Sequence, residues 1–306
     1  MCNYMIKEYR IYGNVSPLVL ASHDPMLPGY EIKCAFRYGG HYEQSARDGS
    51  PAYVIDLYQR KALVTGRAMA SAKLDFPDAD ELVEVEGIVI RQGDDLAIWV
   101  RKLVPLPLLC PHQCIFDMAI PHWVVDHAVV DRACALWATL PEQDRLFINS
   151  VFHKPRVLRG FLAAPGSCND HHAFDGGCLE HSVEAAELAA HVAATKTNLD
   201  KDLLVTSALI HDAGKCLEYI KTRTGRWRMS RYGRRVGHKV SGIQLATVAM
   251  LRCPEMSAAR KEDLIHVLGA SYAPRWVGLR APSSPEAALL AALDRVSAES
   301  GIQRSV

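Results

Sequence analysis

The hydrophobic positions of this chain change period once. From Ala52 to Val104 apolar and polar residues alternate in short runs, at 52–58, 62–66, 82–90 and 96–104. Alternation of that kind predicts strands whose successive side chains face opposite sides. Gln92-Gly93-Asp94-Asp95 reads as the turn between the last two runs. Several short strands punctuated in this way predict a small barrel or sandwich. Residues 1 to about 50 hold more strand-like pieces and glycines, without a readable register. After Pro105-Leu106-Pro107 the period lengthens to that of helices, predicted at 131–140, 142–152 and 155–162. A double glycine, Gly176-Gly177, then makes a turn into an alanine-rich helix running toward His191. No internal repeat or low-complexity tract interrupts this order.

The helical half holds the chemistry. An apolar run, Leu203-Leu204-Val205-Thr206-Ser207-Ala208-Leu209-Ile210, ends in His211-Asp212-Ala213-Gly214-Lys215. A buried-type helix ending in two metal-ligating residue types, then a glycine turn and a lysine, suits a metal held beside a phosphate. Upstream, His171-His172-Ala173-Phe174-Asp175-Gly176-Gly177-Cys178-Leu179-Glu180-His181 puts His181 in the first turn of the next helix. Downstream, Asp294 interrupts an otherwise apolar helical stretch, where a carboxylate needs a partner. Taken singly, His181 or Asp294 is more often a satisfied helix residue, and a His-Asp pair arises by chance. The combination on three predicted helices is harder to dismiss.

These residues resemble the HD superfamily of metal-dependent phosphohydrolases, whose ligand order is His, His-Asp, then a distant Asp. The resemblance places the ligands at His181, His211, Asp212 and Asp294. Two imidazoles and two carboxylates form a borderline-to-hard set, so manganese is the first expectation, with iron, cobalt, nickel or magnesium as alternatives. The implied chemistry is hydrolysis at phosphorus, in which the metal activates a water and polarises a phosphoryl oxygen. Lys215 and His238 would neutralise charge developing on the phosphoryl oxygens. His171 and His172 would orient the substrate or protonate the leaving oxygen. His238 also matches the first of the extra histidines that two-metal members carry. The next such stretch is replaced here by Ala270-Ser271-Tyr272-Ala273, with His266 one turn earlier and out of position, which argues for one metal.

Composition changes the picture little. At 306 residues, 49% hydrophobic and 23% charged, the chain fits about two soluble globular domains. The start, Met1 to Arg10, lacks the apolar core of a signal peptide, and no run is long enough for a bilayer, so a cytoplasmic protein without membrane association is expected. Nine scattered cysteines suit reduced thiols. Cys110 and Cys114, followed by His122 and His127, are too closely spaced and too interrupted by proline to favour a zinc site over a linker.

Charge matters more through its distribution than its sum. The formal net charge is only +1, yet no acidic residue lies between Glu218 and Glu255. Lys221, Arg223, Arg226, Arg228, Arg231, Arg234, Arg235 and Lys239 gather there around Trp227 and Tyr232, with Thr224-Gly225 as the turn of a predicted hairpin. A solvated basic loop is the commoner reading of such a run. Concentration of the arginines among aromatics in a nearly neutral chain favours contact with an anionic polymer or nucleotide.

A small β-barrel followed by a helical HD region is similar to the YhaM-type 3′-to-5′ exoribonucleases, in which an OB-fold precedes the HD domain. The likeness is strongest from Phe161-Leu162 through the His-His and double-glycine motif to Asp212, and HD modules of conjugative relaxases share that run. The resemblance implies an α+β chain with an OB-like nucleic-acid-binding domain at 1–108, a helical linker at 109–165 and an HD domain at 166–306. It further implies a metal-dependent nuclease on single-stranded RNA or DNA, a 3′-to-5′ exonuclease first, and a homo-oligomer. A nucleotide phosphohydrolase and a catalytically degenerate binding module of a mobile element remain the alternatives.

Overall fold

The computed structural model describes residues 28–45, 49–92, 95–168, 171–270 and 280–300, and they fall into two compact units, one ending at His122 and the other beginning at Trp123. The first unit is built on six strands: β1 (Glu31–Ser45), β2 (Pro51–Gln59), β3 (Ala62–Met69), β4 (Lys73–Leu74), β5 (Leu82–Gln92) and β6 (Asp95–Pro105). β1 pairs antiparallel with both β2 and β5, β2 with β3, and β5 with β6. A parallel pairing of β3 with β6 joins the two ends, so five long strands close into an OB-like barrel. Closure removes the edges that an open sheet would expose.

The alternation read from residues 52–104 is the alternation of the barrel wall. Ile55, Leu57, Val64, Val85, Val89, Ile98 and Val100 point inward and are buried. The predicted turn at Gln92–Asp95 lies between paired β5 and β6, although Gly93 and Asp94 are outside the described residues. β1 escaped the sequence reading for a physical reason. Cys34, Ala35, Phe36, Arg37 and Tyr38 are all buried in succession, and the register with β2 shifts between Tyr38 and Gly40. A bulged strand buried on both sides shows no two-residue period.

The buried Arg37 is bound rather than stranded. Its Nε donates to the Met118 carbonyl at 3.0 Å and its Nη1 to that of Asp80 at 3.1 Å. Burial lowers its pKa to about 10, against the pull of Glu81 and Asp80. Arg60 pairs with Asp117 at 2.9 Å, so the short turn Ile115–Met118 is fastened to the barrel from two sides.

The second unit is helical apart from one hairpin: α1 (His127–Ala138), α2 (Glu142–Val151), α3 (Pro155–Ala163), α4 (Gly177–Ala194), α5 (Lys201–Ile210), α6 (Lys215–Glu218), α7 (Arg231–Val236), α8 (His238–Met250), α9 (Ala258–Gly269) and α10 (Pro285–Ser300), with β7 (Tyr219–Lys221) and β8 (Trp227–Met229) between α6 and α7. α1 begins earlier than its periodicity suggests because Asp126 caps it, accepting from the amides of Ala128 and Val129. α5 is the axis of this unit. Every residue from Leu203 to Ile210 is buried, as expected of a helix apolar all round, and α1, α2, α4, α9 and α10 pack against it.

The capping carboxylate of α5, Asp200, accepts from the Leu203 amide at 2.8 Å. It also accepts from Arg260 at 2.7 Å, while the rest of that guanidinium holds the fully buried Asp144 through two bonds of 3.2 and 2.5 Å. One arginine of α9 thereby joins α2 to the start of α5.

Among the described residues no helix is long and apolar enough to cross a membrane. The eight described cysteines carry free thiols, as their scatter suggests. Cys110 Sγ donates to Gln113 Oε1 at 3.6 Å, and among the described residues Cys110, Cys114 and His122 do not converge as ligands.

Candidate metal centre

Three elements deliver the four central side chains. α4 starts immediately after a tight turn in which Gly176 adopts φ +83 and His172, unusually for a residue with a side chain, φ +49. Gly177 must be glycine here, because a Cβ would lie 2.1 Å from the His172 carbonyl oxygen. One turn into α4 stands His181, fully buried. α5 ends at His211 and Asp212, so both lie at the negative end of its dipole, where a cation is favoured. α10 contributes Asp294.

The four side chains meet. His181 Nε2 is 2.9 Å from Asp294 Oδ1, 3.3 Å from His211 Nε2 and 3.5 Å from Asp212 Oδ2. His211 Nε2 is 3.3 Å from Asp212 Oδ2 and 3.6 Å from Asp294 Oδ1. Ligands held about 2.1 Å from a single ion stand roughly 3 to 3.4 Å from one another. His181, His211 and Asp294 form a His/Asp cluster whose ligand atoms all lie within 4.8 Å of one another, a possible metal site.

The outer hydrogen bonds decide which nitrogens face inward. His211 Nδ1 lies 2.8 Å from the Ala208 carbonyl, which can only accept, so that nitrogen carries a proton. His181 Nδ1 contacts Ser297 Oγ at 3.0 Å, and Ser297 gives its hydroxyl proton to Glu184 Oε2 at 2.9 Å. The hydroxyl therefore accepts from His181. Neutral, both rings present the Nε2 lone pair to the carboxylates, an arrangement of acceptors facing acceptors that needs a cation at its centre. Without a metal, a proton serves: burial opposes charge on His211, but Asp212 and Asp294 raise its pKa to about 10. Burial holds His181 below the usual imidazole range instead. Asp212, despite burial, is kept well below the carboxylate range by His211 and Lys215, and Asp294, despite burial, by His181 and His211.

The remaining expected residues surround this cluster in different ways. Lys215 is buried, with its ammonium 2.5 Å from Asp212 Oδ2 and 2.5 Å from the Gly166 carbonyl. His238 stands on the other side of Asp212, its Nε2 3.6 Å from Oδ1 and its Nδ1 2.7 Å from Glu218 Oε2. A Cβ on Gly214 would lie 2.0 Å from the His238 carbonyl, so that glycine is what lets α8 approach the His-Asp turn. His172 is buried, with Nε2 3.1 Å from Glu184, while the His171 ring centroid lies 5.4 Å from that of His181. Burial pushes His171 below its ordinary pKa. His266 is engaged elsewhere, its Nε2 accepting from the Ser283 amide at 3.1 Å, and residues 271–273 lie outside the described residues.

Glu184, Ser297 and Glu218 were not singled out in the sequence, although a signal existed. Glu184 follows His181 by three positions on α4, and Ser297 follows Asp294 by three on α10, so each shares a helix face with a central residue.

The basic cluster divides between two elements. Arg223, Arg226 and Arg228 sit on the β7–β8 hairpin and its turn, where Gly225 adopts φ +81. Arg231, Arg234 and Arg235 sit on the short helix α7. All six are exposed. Trp227 is only partly exposed: its indole donates to Asp175 at 2.6 Å, and the Lys221 ammonium, itself paired with Asp175, lies 5.7 Å over its ring. Asp175 thus ties the hairpin to the turn that precedes α4.

Residues 178–299 match the family model described as HD domain, so the helical unit contains an HD domain, a class that binds divalent metals. Over 143 residues the chain is 26% identical to the 3′-5′ exoribonuclease YhaM of Bacillus licheniformis, an alignment taking in 45% of this chain and 44% of that protein. The chain thus spans under half the length of the curated relative it matches. Among solved structures, the second OB-fold domain of replication protein A from Methanococcus maripaludis covers 26% of this chain and 87% of its own, at 18% identity and a TM-score of 0.22. Aspartyl tRNA synthetase from Entamoeba histolytica covers 81% and 57% at 10% identity and 0.28. Those two likenesses are slight, and the barrel is defined by its own strand pairings.

Proposed function

We propose that this protein is a metal-dependent phosphodiesterase that degrades single-stranded nucleic acid, an exonuclease of 3′-to-5′ direction first among the modes. The observation that carries the reading is the convergence of His181, His211 and Asp294, whose ligand atoms all lie within 4.8 Å of one another, with Asp212 Oδ2 3.3 Å from His211 Nε2 and 3.5 Å from His181 Nε2. The resemblance to an exoribonuclease supports it.

Those four residues would hold one divalent ion, manganese in the first instance. When bound, the metal supplies Lewis acidity to a phosphoryl oxygen and a water of lowered pKa. Lys215 balances the charge of Asp212 and fixes its orientation. His238, its Nδ1 proton held by Glu218, offers Nε2 at the open side of Asp212 to accept or return a proton. Glu184 orients His172 and, through Ser297, His181. The barrel formed by the strands between Glu31 and Pro105 would present single strands, and Arg223, Arg226, Arg228, Arg231, Arg234 and Arg235 would grip the backbone, with Trp227 shaping the hairpin as much as stacking.

Degradation of end-labelled single-stranded RNA and DNA by the manganese-loaded protein tests this reading. Turnover of mononucleotides alone would replace it with a nucleotide phosphohydrolase.

A further inference from the structure

A cavity of about 200 Å³ opens directly beside the metal centre, with His211 and Asp294 in its wall. Its floor is apolar and well buried, from Val267 and Leu268 of α9 and Leu290 of α10. Two cations stand at it: Lys239, which follows His238 on α8, and Arg295, which follows Asp294 on α10. Among the described residues neither pairs with a carboxylate; Arg295 only reaches back to the Ala291 carbonyl of its own helix at 3.4 Å. Asp294 is the one carboxylate among the described residues of the wall, and it is engaged by His181 at 2.9 Å.

Two charges left without counter-ions beside an apolar recess define the complement: a small ligand with a flat, poorly hydrated body and an anionic end. The volume falls below the roughly 300–1,000 Å³ of pockets for drug-sized molecules, so it suits one unit of a polymer rather than two. A guanidinium offers a planar fork to phosphate oxygens and an ammonium a mobile point charge.

We infer that this cavity is the subsite for a single nucleoside monophosphate unit, with the base on Val267, Leu268 and Leu290 and the phosphate between Lys239, Arg295 and the metal centre. The inference rests on the proposed phosphodiesterase reading and adds to it the residues that select the unit being removed. Lys239 and Arg295 act here as binding residues, distinct from the arginines of the hairpin and α7.

Calorimetric titration of the full chain, metal-free and manganese-loaded, with adenosine 5′-monophosphate, adenosine and inorganic phosphate tests it. The monophosphate should bind at least about tenfold more tightly than either fragment. Lys239→Ala and Arg295→Ala should each weaken it about tenfold, as loss of one charge-assisted hydrogen bond implies. Ala291→Phe, at a half-buried position of the same wall, should block the monophosphate while sparing inorganic phosphate. Monophosphate binding unchanged in all three variants, with their thermal melting intact, overturns the subsite. If manganese-dependent strand degradation persists in that event, the nuclease reading stands without it. If binding responds as expected but no strand is degraded, the subsite stands and the polymer reading falls.

Discussion

His181 Nε2 and His211 Nε2 lie 3.3 Å apart, and the other nitrogen of each ring is already committed as a donor, to Ser297 and to Ala208. In the neutral rings two lone pairs would face each other across a gap that two carboxylates also border. The tautomers are set from outside the centre, so the outer residues have measurable weight. Ser297→Ala should lower manganese affinity by about 10- to 100-fold, the usual consequence of losing a partner behind a ligating histidine. Competition against a chelator of known affinity measures it. Unchanged affinity would mean that Ser297 does not set the His181 tautomer.

Gly214 gives a second prediction. α8 passes so close that a Cβ there would stand 2.0 Å from the His238 carbonyl and 2.7 Å from the Gly242 amide. Neither neighbour is a flexible side-chain end. Gly214→Ala should destabilise the protein by about 1–3 kcal/mol in urea unfolding through overpacking, and should push His238 away from Asp212. A variant of normal stability and activity would show that the two backbones separate freely.

The site was more legible in the sequence than the ground beneath it. His211 and Asp212 stood out because they end an apolar helix, while His181 and Asp294 became nameable as ligands only through the resemblance to the HD superfamily, and the structure brings His181 within 3.5 Å of each of the other three. Glu184 and Ser297 were less visible because a polar residue one turn along a helix is ordinarily a solvated one. β1 was illegible because its bulge and its buried Arg37 erase the two-residue period that exposed β2, β3, β5 and β6. The basic run was legible as charge but not as shape, since Arg231, Arg234 and Arg235 follow Ser230, a helix cap whose hydroxyl accepts from Gly233, rather than continuing the hairpin.

Arg260 pairs with a fully buried carboxylate, Asp144, and with the α5 cap, Asp200. Burial raises the Asp144 carboxyl above its ordinary pKa even with Arg260 opposing the shift. A carboxyl whose folded pKa exceeds its unfolded value binds more protons in the native state, so its contribution declines as pH rises between the two values. Arg260→Ala removes the opposing charge and carries that window further upward. The variant should lose about 3–5 kcal/mol near neutral pH, as expected for one partner of a buried pair, and less at pH ~5. Urea denaturation at both pH values checks the sign. Equal losses would mean that Asp144 stays ionised without its partner.

The exposed arginines should act on polymers rather than on chemistry. Replacing Arg226, Arg228 and Arg231 together by Ala should weaken binding of single-stranded RNA or DNA and lower the slope of log affinity against log salt by about 2, at ~0.7 per lost phosphate contact. Hydrolysis of a small phosphodiester should fall much less. Equal losses on both substrates would place these residues in the catalytic step instead.

On the proposed reading His181, His211, Asp212 and Asp294 form a metal centre that cleaves strands. Metal-stripped protein incubated with end-labelled single-stranded RNA and DNA, with and without manganese, tests it most directly when Asp212→Ala is run beside the wild type. The wild type should give manganese-dependent laddering and the variant none. Retained binding without cleavage under any divalent metal, or equal cleavage by the variant, would contradict it.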